Sequence, residues 1–126
     1  MKRKTCIGFG AVAAVSMFLI LLSAGFDQAH AKTAPALASP AGARDDGHNA
    51  EGIKHYNKGH WKKAADHFRG AINSDPDLAE AHYNLALALD KMGQHGPATR
   101  SFAKALKLGK DNPDISGSGI LKAHLR

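Results

Sequence analysis

The chain has 126 residues, a formal net charge of +6 and a single cysteine, Cys6. This length suits one small domain, and one cysteine excludes a disulfide framework. The charge is spread over 17 basic and 11 acidic residues, a balance that argues against a nucleic-acid-binding protein.

The first 31 residues have the layout of a secretory signal peptide. Lys2-Arg3-Lys4 precedes an uncharged apolar run over residues 7–22, and Ala29-His30-Ala31 places small residues at positions −3 and −1 of a cleavage site after Ala31. A basic start, an apolar stretch and small residues at the cleavage site mark an export signal. The run is shorter than the roughly 20 residues that a spanning helix needs, which favours cleavage after Ala31 over an uncleaved inner-membrane anchor. Both alternatives predict export, to the periplasm or beyond after cleavage, or anchored and facing the periplasm.

Residues 32–44, KTAPALASPAGAR, are rich in Ala, Pro, Gly and Ser and show no periodicity. Their prolines exclude a continuous helix. We therefore predict a flexible linker between the export signal and the folded domain. Without residues 1–31 the chain keeps 14 basic and 10 acidic residues, a net charge of +4.

The rest of the chain repeats itself at an offset of 34 residues. Ala64 aligns with Ala98, and the same offset relates three further identical pairs: Phe68 and Phe102, Ala71 and Ala105, Gly59 and Gly93. A fixed period of this length is typical of helical repeat proteins.

Within each copy the apolar residues follow a helical spacing, as in Ala64, Phe68, Ala71 and Ile72. Gly59 and Gly93 are placed to end one helix and permit a tight turn into the next. Between the copies, Asp75-Pro76 stops a helix. Asp77, with Glu80 three residues later, predicts a capping box for the following helix. Each copy is predicted to be a helix-turn-helix hairpin.

This pattern resembles the tetratricopeptide repeat family, with one repeat at 45–78 and a second at 79–112. The family places small residues where this chain has Gly52, Ala64 and Ala71, and an aromatic residue at Phe68. The second copy has Ala86, Ala98, Ala105 and Phe102 at these positions. The resemblance implies an all-α fold, an α-solenoid of two helix-turn-helix repeats.

A third element is expected because each hairpin leaves an apolar face for a neighbour. Ile120, Leu121 and Leu125 are spaced to share one side of a short helix that starts near Ser116 or Ser118. Residues 113–126 are therefore predicted to form a C-terminal cap. If they do not, self-association must cover that face.

Seven histidines follow Ala31, and they raise the question of a metal site. His48 and His55, like His60 and His67, are seven residues apart, about 10 Å along a helix, which is too far to share one ion. His48 and His82 occupy equivalent repeat positions, which leaves a His-based metal binder as a minor alternative. The sequence predicts no metal ligand.

No phosphate loop, catalytic cysteine or nucleophile elbow is present. The acidic pairs Asp45-Asp46 and Asp75/Asp77 are better explained as helix-start residues. A basic stripe of Arg100, Lys104, Lys107 and Lys110 is interpreted as a solvated outer face. We therefore predict neither an enzyme nor a cofactor.

The family resemblance implies a concave groove, lined by the first helix of each repeat, that binds peptide segments or partner proteins. The matching positions here are Asn49, Ile53, Tyr56, Asn57, Tyr83, Asn84, Leu87, Asp90 and Lys91. Tyr56, Tyr83, Asn84 and Leu87 are the expected anchors. The alternative for Ile53 and Leu87 is that they pack against a neighbouring helix.

The predicted function is that of a protein–protein interaction scaffold or adaptor in the cell envelope, with a protein or peptide partner that the sequence does not name. No nucleic acid is expected as a partner, and membrane contact is expected only through an uncleaved N-terminal segment. The alternative is a structural unit that self-assembles by stacking exposed hairpin ends.

Overall fold

The computed structural model describes residues 33–126, which contain six helices and no strand. The prediction for residues 1–31 lies outside this range. The helices are α1 (His48–Asn57), α2 (Trp61–Ser74), α3 (Ala79–Lys91), α4 (His95–Leu108), α5 (Pro113–Ser116) and α6 (Gly119–His124). None of them is long and apolar enough to cross a membrane. The predicted all-α, solenoid-type fold is confirmed.

The first four helices form two hairpins that pack on each other. Helix α1 packs on α2, α3 on α4, and α2 on α3. Gly59 and Gly93 make the two hairpin turns with φ angles of 76° and 75°. These angles lie in the left-handed region that only glycine adopts at no steric cost, which is why the same residue stands at both turns.

The joint between the hairpins differs from the predicted capping box. Helix α2 ends at Ser74, directly before Asp75-Pro76, as predicted. The N-cap of α3 is Leu78, however, and no side chain caps this helix end. The Asp77 prediction is wrong by one residue, because Leu78 is buried, at 4% exposure, and the burial of this side chain places the start of α3 one residue later.

Small residues facing phenylalanines build the core. Ala64, Ala98, Phe68 and Phe102 are all fully buried. At Gly52 the helix approaches so closely that an added Cβ would lie 2.6 Å from Cδ1 of Phe68. The recurring small and aromatic residues are therefore the contacts that hold the helices at short distance.

The C-terminal tail contains the short helix predicted to start near Ser116 or Ser118, which is α6, and a second short helix, α5, that was not predicted. Ser118 caps α6, its Oγ accepting from the Leu121 amide at 3.4 Å. Ile115 and Leu121 are buried in the core, whereas Leu125 is 37% exposed. Helix α6 packs on α4, so the tail covers the end of the second repeat.

Candidate functional site

Residues 34–39 run along the groove between α1 and α3. Ala34, Ala36 and Leu37 pack against the hydrophobic core. The Tyr56 hydroxyl, near the end of α1, donates to the Ala34 carbonyl at 3.2 Å. Ser39 meets Asn49 near the start of the same helix. The segment is therefore antiparallel to α1.

This arrangement contradicts the flexible spacer predicted for the segment. From its composition, the segment was predicted not to pack against the folded domain. In the structure their small side chains allow the main chain to approach the helices, and buried polar side chains bind its amide and carbonyl groups. These contacts fix residues 34–39 against the helices. The bounds of the linker, residues 32–44, stay a prediction.

Asn84 holds both main-chain groups of Leu37. Its Oδ1 accepts from the Leu37 amide at 2.7 Å, and its Nδ2 donates to the Leu37 carbonyl, also at 2.7 Å. Asn49 donates from Nδ2 to the same carbonyl at 2.9 Å. The two asparagines are joined by a bond of 2.8 Å from Asn84 Nδ2 to Asn49 Oδ1. We call these two side chains the asparagine pair.

The asparagine pair is fully buried, with both residues at 0% exposure. Each amide nitrogen has two hydrogens, and each uses both, since Asn49 Nδ2 also donates to the Ser39 hydroxyl at 3.0 Å. An unpaired buried amide would cost about 1–3 kcal/mol. The pair therefore requires main-chain partners in the groove.

Asp45 fixes the end of the segment to the start of α1. Its Oδ2 accepts from the Ser39 hydroxyl at 2.7 Å and from the Asn49 amide at 3.2 Å. Burial raises the pKa of Asp45, but the hydrogen bonds from Ser39, Gly47 and Asn49 outweigh it and hold the pKa below its ordinary value. The carboxylate is thus ionised at neutral pH.

The other predicted aromatic and aliphatic residues have packing roles. Leu87 is 1% exposed, and Ile53 packs against the core. Both residues therefore pack inside the protein, which agrees with the alternative given for them in the sequence analysis. The Tyr83 hydroxyl lies 2.9 Å from Ser118 Oγ, so it connects α3 to the cap. Burial raises the pKa of Tyr56 to about 12.

The remaining predicted residues lie at the C-terminal ends of α1 and α3. Asn57 and Lys91 are exposed, and the Lys91 amine lies 6.0 Å from the centre of the Trp61 ring. Asp90 accepts hydrogen bonds from His95 and His124. Asn49, Tyr56 and Asn84 thus all form hydrogen bonds with residues 34–39, whereas the Tyr83 hydroxyl contacts Ser118 in the tail.

Sequence reasoning missed Leu37, Ser39 and Asp45 as parts of this site. The segment has no hydrophobic period, and Leu37 is 47 residues from Asn84. The one available signal was the presence of two asparagines on groove-facing positions, because a buried amide implies a polar partner.

The basic stripe lies on another surface of the repeats. Arg100, Lys104 and Lys107 are exposed, in keeping with a solvated face. An open cleft of about 550 Å³ adjoins it, lined in part by Arg69, Arg100 and Lys104.

Comparison with known proteins supports the repeat pattern. Residues 52–93 match the family model described as TPR repeat, from the middle of α1 to the turn after α3. No curated protein matches the chain at a significant level. The matched region, together with the two hairpins and their glycine turns, supports the tetratricopeptide repeat resemblance.

Proposed function

We propose that this protein is an interaction module whose groove between α1 and α3 binds an extended peptide backbone. Tetratricopeptide repeats serve in general as non-enzymatic protein–protein interaction scaffolds. The observation that carries the proposal is the bidentate bond between the Asn84 side chain and the main chain of Leu37.

The contact defines the class of segment that the groove binds. Main-chain hydrogen bonds give affinity without regard to side chain, as in strand addition to a sheet edge. Only proline is excluded at the Leu37 position, because it has no N–H to donate. The small side chains of Ala34 and Ala36 pack on the core, so a partner segment needs small, uncharged residues there and one aliphatic residue after them.

The chain's own segment competes with any partner. A tethered ligand has an effective concentration in the millimolar range. A partner must therefore bind more tightly than residues 34–39, or bind after the segment has left. The apparent affinity of the groove for a partner therefore depends on how tightly residues 34–39 bind, as well as on the helices.

The test removes the competing segment and adds it back as a peptide. Residues 33–39 of the full chain are replaced by Gly and Ser, and a labelled peptide TAPALASP, residues 33–40, is titrated in fluorescence anisotropy. We expect saturable binding to the replaced chain and at least tenfold weaker apparent binding to the wild type. A peptide with N-methyl leucine at position 37 lacks the donor and should not bind.

Asn84→Ala in the replaced chain should abolish peptide binding, whereas Asn57→Ala, at an exposed position of α1, should leave it unchanged. The proposal is wrong if the peptide does not bind the replaced chain, or if the N-methyl peptide binds equally well.

The sequence pattern of residues 1–31 supports the further proposal that the module works in the cell envelope. A basic start followed by an apolar run is the pattern of an export signal. Cell fractionation with N-terminal sequencing should find the protein outside the cytoplasm, starting at Lys32 if the signal is cleaved. Recovery of the intact chain from the cytoplasm would refute export.

The groove is favoured over self-assembly through hairpin ends. Within residues 33–126, Leu125 is the single large hydrophobic side chain that is exposed. Helix α6 already packs on the second repeat. The apolar surface that stacking copies would bury is therefore small.

A further inference from the structure

Three metal-ligating side chains from three different helices meet at one end of the second repeat. Asp90 lies next to the last residue of α3, His95 is the first residue of α4, and His124 is the last residue of α6. They come together only because α6 folds back onto α4. We call them the Asp90 cluster.

The ligand atoms of the cluster lie within 4.8 Å of one another. Asp90 Oδ1 is 2.8 Å from His95 Nδ1 and 3.0 Å from His124 Nε2. Ligand atoms around a tetrahedral ion are about 3.4 Å apart when each is about 2.1 Å from the metal. The two Asp90 distances must therefore each lengthen by about 0.4–0.6 Å to admit an ion.

The orientation of His124 suits a ligand. Its Nδ1 lies 3.2 Å from Thr99 Oγ1, and that hydroxyl donates to the His95 carbonyl at 2.9 Å. With its hydrogen used in this way, the hydroxyl can accept from Nδ1–H. In the metal-bound form Nδ1 therefore carries the proton, and Nε2, whose bond to Asp90 is replaced, coordinates the ion. Metal-binding histidines are usually fixed through their second nitrogen in this way.

The Asp90 cluster is partly exposed to solvent. The side chain of His124 is 14% exposed and that of Asp90 20%, while that of His95 is 69% exposed. The His124 ring packs 5.0 Å from the Phe102 ring. Two ligands are therefore largely enclosed by the fold, and the third lies on the solvent side of the site.

We propose that Asp90, His95 and His124 bind a divalent transition metal ion such as Zn²⁺ or Ni²⁺. Two imidazoles and one carboxylate favour these ions over Mg²⁺ or Ca²⁺, which prefer oxygen ligands only. Water completes the coordination on the side of His95. The bound ion links α6 to α3 and α4 and thereby fastens the cap to the second repeat.

The other clustered histidines provide the control. His55 Nδ1 and His60 Nδ1 are 3.4 Å apart on the first hairpin, and the His67 ring stacks 5.2 Å from that of His55. Across residues 33–126, the Asp90 cluster is the single group of three such side chains with all ligand atoms this close. Surface imidazoles without a carboxylate should bind metal more weakly.

The experiment titrates ZnCl₂ into the metal-stripped full chain at neutral pH in a calorimeter. We expect one equivalent of zinc to bind the wild type and the His55→Gln/His60→Gln control alike. His95→Gln should lower the affinity at least tenfold. This variant retains its fold because the side chain is mostly exposed, and circular dichroism checks this.

A second readout reports the position of the ion. Saturating zinc should raise the unfolding temperature of the wild type and slow amide exchange in α6, and His124→Gln should abolish both effects. Failure of the wild type to bind zinc, unchanged affinity in His95→Gln, or loss of binding in the His55→Gln/His60→Gln control would overturn the assignment.

Discussion

Two buried asparagines determine what the groove can bind. Asn49 and Asn84 were predicted from the repeat pattern to face the groove, and the structure places both there with all their amide hydrogens in use. Which atoms they bind could not be predicted, because the ligand is a segment with the composition of a linker. A buried side-chain amide implies that a hydrogen-bond partner exists. It does not indicate which residue of the chain provides that partner.

Asp45 should make the docked segment sensitive to acid. Its pKa in the folded chain lies below the ordinary 3.8, so its contribution to stability is present above that value. The contribution is lost as the pH falls through the folded pKa, where protonation removes the bonds from Ser39 and the Asn49 amide. The free energy of unfolding in urea should therefore fall more steeply below pH 4 in the wild type than in Asp45→Asn.

Above pH 5 the wild type should be the more stable of the two chains, because the ionised carboxylate accepts stronger hydrogen bonds than the amide. Parallel pH profiles for the wild type and Asp45→Asn would contradict this assignment.

At the scale of the helices, periodicity and glycine placement predicted the hairpins well. Gly59 and Gly93 are at the turns, and Asp75-Pro76 follows the end of α2. The start of α3 was missed by one residue because burial of Leu78 outweighs the capping preference of Asp77. In the tail, the helix predicted to start near Ser116 or Ser118 is α6, whereas α5 was not predicted.

Gly52 should be intolerant of any side chain. A Cβ at this position would meet the ring of Phe68, which is fully buried and cannot move aside. Gly52→Ala should lower the free energy of unfolding by about 1–3 kcal/mol through overpacking.

Gly96→Ala is the matched control for this substitution. Gly96 also lies in a helix but has open space at its Cβ position, so alanine should stabilise the chain by about 0.4–1 kcal/mol. Urea denaturation compares the two variants. Equal effects would show that α1 and α2 are not packed as closely as described.

The cap should contribute to stability through Leu121. This side chain is 1% exposed, whereas Leu125 on the same tail is 37% exposed. Leu121→Ala should cost about 2–5 kcal/mol, and Leu125→Ala well under half of that. Thermal unfolding followed by circular dichroism measures both, and a neutral Leu121→Ala would show that the tail does not cap the repeat.

For the whole molecule, the segments that flank the two repeats cover surfaces that a further repeat would otherwise bury. Repeat arrays usually need about three units to bury a continuous core. Here α6 covers the second repeat, and residues 34–39 cover the groove of the first helices. Both elements add buried apolar area without adding a repeat.

These long-range contacts set the limit of prediction from the sequence. Local pattern determines a helix or a turn, but Leu37 meets Asn84 across 47 residues and His124 meets Asp90 across 34. No period or motif relates these positions. The fold could therefore be predicted, while the occupant of the groove and the Asp90 cluster required the structure.

Hydrogen exchange at the Leu37 amide tests the central claim most directly. In the full chain this amide donates to buried Asn84 Oδ1, so its exchange, followed by NMR, should be at least tenfold slower than in the free peptide TAPALASP. Asn84→Ala should return it to the rate of the free peptide, and Asn57→Ala should not. Exchange of the wild-type amide at the free-peptide rate would contradict a groove occupied by the chain's own segment.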